Sequence, residues 1–274
     1  MRPALTGLLL ASALAAHGAP PVAFVADIKG NATIEGNGRL SFLAELPQGS
    51  RLLLGSGSTA AVTFAVTGAE FTISGPGEFL VTAVEVKAEK GLPPRRRAVA
   101  SLPDPSVIAR LSQTATASLR MRSVSPGSSP RMGALEYPVQ TRVATLQPVH
   151  RWRGDSSEGM AYTLTITDAS GKEVWKGSAT PSGTQAGVRL APETRYSWSV
   201  TSPAGSLGEG GYQTLSSNAI AQVEKSRTGA HSFSERVLHA LLLQGLGAVQ
   251  DARAAWADLA RERPDLPEAA ALAR

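Results

Sequence analysis

The chain of 274 residues contains no cysteine. That absence excludes disulfide staples, a thiol nucleophile, and the lipid-bearing cysteine that anchors bacterial lipoproteins after a leader. Aromatic residues are scarce, at 5%, while 27 Gly and 18 Pro point to a turn-rich, β-leaning chain. After the first twenty residues, no stretch approaches the roughly 18 to 20 uncharged apolar residues that a membrane-spanning helix requires. Histidine is rare too. The four are His17, His150, His231 and His239, and no pair has the H-E-x-x-H spacing of a zinc hydrolase. His231, Glu235 and His239 recur at every fourth position, but Ser232 reads as a helix cap that leaves His231 outside the helix.

Other catalytic signatures are missing as well. There is no G-x-S-x-G elbow. Gly55-Ser56-Gly57-Ser58-Thr59 lacks the lysine and following helix of a phosphate loop, and Gly171-Lys172-Glu173 lacks the hydroxyl residue and upstream glycine. Glu35, Glu45, Glu70 and Glu78 lie near turns and read as strand-edge or surface groups rather than an acid/base pair. The expectation is a non-enzyme with no catalytic residues, no cofactor and no metal.

The N-terminus carries Arg2, an apolar run over 5–14 and Ala13-Leu14-Ala15, the pattern of a cleaved secretory leader over 1–19. Cleavage falls after Ala15 or Ala19, and Pro20 favours the earlier site. The expected location is a bacterial periplasm, with no transmembrane segment after cleavage. The formal charge of +5 is concentrated: Arg95, Arg96, Arg97, Arg110, Arg120, Arg122 and Arg131 stand between Gly91 and Gly133, where Asp104 is the lone acid. Such a cluster is a solvated connector or a contact for an anionic surface. Export argues against nucleic acid.

From 22 to 91 short alternating segments are separated by turn residues. Phe24, Ala26 and Ile28 alternate, Gly36-Asn37-Gly38 signals a hairpin, and 40–46 continues as a strand. Val62, Phe64 and Val66 give period two with one apolar face. Roughly six or seven strands here describe a small sandwich or barrel. The stretch 92–133, rich in Pro, Arg and Ser, reads as a connector with one strand over 114–121. From 134 to 216 a second β pattern has Tyr162, Leu164 and Ile166, a hairpin loop at Asp168-Ala169-Ser170-Gly171, and Tyr196, Trp198 and Val200. Over 217–274 the period becomes helical: 219–225, then a helix with Ser232 and Glu235 at capping-box spacing, then 248–263, stopped by Pro264.

Three resemblances follow. Gly30 with Ala32 and Ile34, Leu46 with Gly49, Leu54 with Gly55, Ser58 with Ala60 and Ala61, Gly68 with Phe71 and Ile73, and Gly75-Pro76-Gly77 with Phe79 resemble a FecR-like domain. The resemblance implies a bacterial envelope setting. No anti-sigma segment or membrane helix precedes it, so the regulatory role of the namesake is not implied. Pro148 with Trp152, the Tyr162 run, and Tyr196-Ser197-Trp198-Ser199-Val200 resemble a fibronectin type III or immunoglobulin-like sandwich. Leu241, Gly245, Ala252, Trp256 and Pro264 are similar to one tetratricopeptide-like helix pair, a unit that cannot bury its face alone.

The expected fold is therefore mainly β: a small FecR-like sandwich or barrel, an immunoglobulin-like sandwich, and a C-terminal helical segment. The leading function is a protein–protein interaction or scaffolding module with an envelope protein as partner. The alternative is binding of peptidoglycan or another anionic glycan. The contact candidates are Arg95, Arg96 and Arg97 for charge, Trp152 and Trp198 as either sandwich core or sugar-stacking platforms, and Trp256 on the apolar side of the last long helix.

Overall fold

The computed structural model describes residues 21–36, 38–99, 134–154, 161–181 and 183–274. The segment read as a leader and most of the stretch read as a connector, including the strand expected over 114–121, lie outside these residues. The described chain is mainly β, with helices gathered at the C-terminal end.

The first unit contains β1 (Pro21–Lys29), β2 (Ala32–Ile34), β3 (Gly38–Arg39), β4 (Glu45–Pro47), β5 (Arg51–Leu54), β6 (Thr59–Phe64), β7 (Ala69–Ser74), β8 (Gly77–Val81), β9 (Val86–Lys90) and β10 (Arg95–Ala98). They form two five-stranded sheets, β10-β7-β6-β1-β4 and β3-β2-β5-β8-β9. Val25, Leu46, Leu52, Val62, Ile73, Phe79 and Val81 are fully buried in its core. Ser58 ties two turns together: its Oγ accepts from the Asn31 amide and donates to the Asn31 carbonyl, both at 2.9 Å. Gly30 is required beside it, because its φ is +80° and a Cβ would lie 2.7 Å from Ser58 Oγ.

Three local expectations differ from the structure. The segment 40–46 is not a continuous strand; Leu40, Phe42 and Leu43 instead drop into the core from irregular backbone, and only its last two residues join β4. Arg95–Ala98, inside the stretch read as connector, is the strand β10 and pairs with β7. Most consequentially, β6 and β1 are not one-sided: Ala60 through Phe64, and Ala23 through Ala26, are buried without interruption.

The cover on the second face comes from the far end of the chain. Helices α1 (Ser217–Thr228), α2 (Phe233–Gly245), α3 (Val249–Glu262) and α4 (Pro267–Leu272) follow the second β unit. Ser232 caps α2 by accepting from the Glu235 amide at 3.2 Å, while Glu235 Oε2 accepts from the Ser232 amide at 2.8 Å, the full capping box. Leu238, Leu241, Trp256 and Leu272 share one apolar cluster with Phe24 and Val62 of the first sheet. The ring of Phe42 meets Phe233 at 6.2 Å and Trp256, edge-on, at 6.3 Å. Phe42 and Trp256, both buried, each stabilise the seam by roughly 3 to 5 kcal/mol relative to alanine, and half-buried Phe233 by less. Arg263, just past α3, adds a polar pin: its guanidinium pairs with Asp27 and Asp265 and donates to the Ile28 carbonyl at 2.6 Å.

The second unit comprises β11 (Leu135–Tyr137), β12 (Thr141–Val143), β13 (Val149–Trp152), β14 (Tyr162–Asp168), β15 (Glu173–Ala179), β16 (Thr184–Gln185), β17 (Arg195–Ser202) and β18 (Gly205–Thr214). A three-stranded sheet, β11-β13-β16, accompanies a five-stranded one, β12-β18-β17-β14-β15, in which β12 runs parallel to β18. Period two holds here: Tyr162, Leu164 and Ile166, and Tyr196, Trp198 and Val200, are buried while their neighbours are not. The expected hairpin loop is present, with Asp168 Oδ1 accepting from the amides of Ser170 at 2.8 Å and Lys172 at 3.1 Å.

Gln250 of α3 holds this unit against the helices. Its amide donates to the Glu136 carbonyl at 2.7 Å and accepts from the Val139 amide at 2.8 Å. Trp198 grips the same turn from inside the sandwich, donating from Nε1 to the Pro138 carbonyl at 2.7 Å.

Candidate functional site

Where the helices meet the second unit, they leave a groove of about 570 Å³. Val223, Glu224 and Arg227 of α1, Arg236, His239 and Leu243 of α2, and Asp251, Ala254, Ala255, Asp258 and Leu259 of α3 form three walls; Tyr137, Ala144 and Thr145 close the fourth. The opening depends on the short side chains of Ala254 and Ala255, which follow from the alanine-rich α3 sequence. Those two residues are good helix formers that fill little space.

The charged rim is largely satisfied within itself. Glu224 accepts from Arg227 at 2.6 and 3.0 Å, Arg236 pairs with Glu262 at 2.7 Å, and Asp258 pairs with Arg261. Val223, Leu243 and Leu259 give an apolar floor. At one end the Asp251 carboxyl is pushed above the usual carboxylate range by burial, against the hydrogen bonds from the Tyr137 hydroxyl and the Ala144 backbone that favour its charge. Burial, and next the Asp251 charge, push the Tyr137 phenol up. Half-buried His239 bonds through Nδ1 to Ser226 Oγ at 3.2 Å, and burial, followed by the Arg227 charge, lowers its pKa. The side chains thus present an apolar trench with a few fixed polar groups, the composition common to ligand-binding clefts.

The residues singled out from sequence lie elsewhere. Trp152, Trp198 and Trp256 are 2%, 1% and 0% exposed, so none offers a ring face to a sugar or partner; all three fill cores, because a large flat ring is the most effective way to occupy a sandwich or helix seam. Arg97 turns inward. Its Nη2 contacts Glu70 at 2.6 Å, Ser232 at 2.8 Å and Ser234 at 3.1 Å, linking β10 to the start of α2. Glu70, read from sequence as a strand-edge or surface carboxylate, is 2% exposed on β7 and sits under that arginine. Arg95 and Arg96 are exposed on the edge strand, beside a cavity of about 370 Å³ that also contains Asp27 and Glu70. His231 does lie outside α2, its amide donating to Glu235 at 3.0 Å.

Tyr137, Glu224, Arg227 and Asp251 were not singled out from sequence. Glu224 and Arg227 stand three residues apart on α1, but the three segments that supply the four residues are distant, and no local spacing joins them. Comparison of the chain with protein-family models, curated proteins and solved structures finds no match.

Proposed function

We propose that the chain is a non-catalytic, exported binding protein of the bacterial cell envelope, and that the groove takes an extended, mainly apolar segment of an envelope partner protein. The observation that carries this reading is the trench itself: an apolar floor, a rim whose charges already pair with one another, and inward polar groups at Tyr137, Asp251 and His239. A strongly charged ligand would have to compete with those pairs, whereas an apolar segment would not.

The modules read from sequence fit this role. In a FecR-like first unit, the Gly30 and Ser58 positions that carry the resemblance are the two that lock a turn across strands. The immunoglobulin-like reading of the second is supported by its three-plus-five strand arrangement and by the Tyr196 hydroxyl, which accepts from the Ala191 amide five residues upstream at 2.9 Å, the tyrosine corner of such sandwiches. The tetratricopeptide-like helix pair solves its burial problem by closing the first unit's core. The leader pattern supports a periplasmic location. Glycan stacking loses its support, since its tryptophans are buried.

Deleting the helices would expose Phe24 and its neighbours, so a point change is the cleaner test. Ala254 is exposed within the groove, and Ala254→Arg should fill it without touching the core. Envelope proteins cross-linked to the wild-type chain in cells should be lost from this variant at unchanged melting temperature. Recovery of the same proteins by both forms would refute the groove as the binding site.

A further inference from the structure

A second cleft, of about 540 Å³, opens on the outward face of the five-stranded sheet in the second unit and shares no lining residue with the groove. Strand register creates it. Arg142 on β12 stands opposite Gln213 on β18, and Gln213 stands opposite Arg195 on β17. Directly opposed residues project from the same face of a sheet, so the three form one row. With strands spaced about 4.8 Å, the two arginine backbones are about 10 Å apart. Their chain neighbours Thr141, Tyr196, Tyr212 and Thr214 are buried, which places the row on the solvent side.

Beside that row the sheet is bare. Gly211 stands opposite Ser197, and the Gln140 amide donates to the Gly211 carbonyl at 2.7 Å, so a trough floored by backbone runs between the side chains of Gln140 and Ser197. Packing does not demand the glycine: a Cβ there would meet only the Tyr196 carbonyl, at an ordinary 3.6 Å. Its effect is to keep the trough open.

The charge in this cleft is unanswered. No ion pair among the described residues involves Arg142 or Arg195, and no carboxylate lines the cleft. The groove and the cavity beside Arg95–Ala98 do contain acids: Glu224, Asp251 and Asp258 in the first, Asp27 and Glu70 in the second. Arg142 is also held in place, its Nη1 donating to the Leu246 carbonyl at 3.4 Å.

We propose that this cleft binds a small ligand bearing two or more carboxylates, one for each guanidinium. A guanidinium presents paired donors matched to a carboxylate, and Gln140, Ser197 and Gln213 add neutral hydrogen-bonding groups between the two. Calorimetric titration of the full chain with citrate is the test, with inorganic phosphate and acetate as comparison arms. Citrate should bind, weakening as salt is raised. Arg195→Gln and Arg142→Gln should each weaken it by about tenfold, and Gly211→Leu, which keeps both charges but fills the trough, should weaken it comparably, all at unchanged melting temperature. Citrate binding that is absent, or equal in wild type and the double arginine variant, overturns the site. Phosphate binding as tight as citrate overturns the two-carboxylate assignment.

Discussion

His150 should make the second β unit sensitive to acid. Its ring is fully buried, packed edge-on against Trp198 with centroids 4.9 Å apart, and Nε2 lies 3.3 Å from the Tyr212 hydroxyl. Burial holds its pKa down to about 4, from 6.5, although backbone groups of Thr184 and Pro148 favour the proton. Above pH 6.5 both folded and unfolded forms are neutral and the histidine costs nothing. As pH falls below 6.5 the unfolded chain takes up a proton that the folded chain refuses, so stability drops by about 1.4 kcal/mol per pH unit until the folded pKa is reached. The full window, from 6.5 to about 4, is on the order of 3 kcal/mol, and about 2.5 kcal/mol of it is lost by pH about 4.5. His239, also lowered, shifts stability in the same sense, and Asp251, raised, in the opposite one. His150→Gln isolates the effect, because those two groups remain in both forms. Urea unfolding followed by tryptophan fluorescence, at pH about 7.5 and about 4.5, should show the variant losing about 2.5 kcal/mol less than wild type across that range. Parallel pH profiles, agreeing within about 0.5 kcal/mol, would refute the assignment of His150 as a buried neutral ring.

Arg263→Met should destabilise the first unit with its helices by about 2 kcal/mol, less than for a fully enclosed pair because Asp265 keeps access to water; an unchanged urea midpoint would remove Arg263 as the pin between α3 and β1. Gln250→Ala strips two backbone groups of their partner and should cost about 2 kcal/mol at the joint. Small-angle scattering should then show a longer maximum dimension with both units still folded, and an unaltered profile would count against the clamp. Gly30→Ala should lower stability more than Ser58→Ala, since the first adds a positive-φ penalty and a 2.7 Å clash while the second removes hydrogen bonds worth about 1 kcal/mol each. The reverse order in denaturant melts would contradict the turn geometry.

What the chain states locally, the sequence could show by itself. The capping box at Ser232 and Glu235, the hairpin at Asp168 to Gly171 and the alternation of Tyr196, Trp198 and Val200 are decided by residues within a few positions of one another. They therefore follow from backbone geometry alone. The helix boundaries and the mainly β character are of the same kind.

Burial on a strand's second face is a different matter. The uninterrupted run of Ala23 to Ala26 was a sign that β1 is covered on both sides, yet nothing near it says that α2 and α3, more than two hundred residues later, supply the cover. Glu70 reads as a strand-edge or surface carboxylate because its partner Arg97 comes from β10, and Arg97 is in turn held by Ser232 and Ser234 at the start of α2. The groove at Tyr137, His239 and Asp251, and the row of Arg142, Gln213 and Arg195, exist only once separate elements pack and pair in one register. The sequence by itself determined the helices and the strands that alternate clearly, because those choices are local; the tertiary structure decided the state of 40–46 and 95–98, which depends on pairing and core packing with distant segments, and which polar groups face each other, because no spacing along the chain encodes the distances between segments.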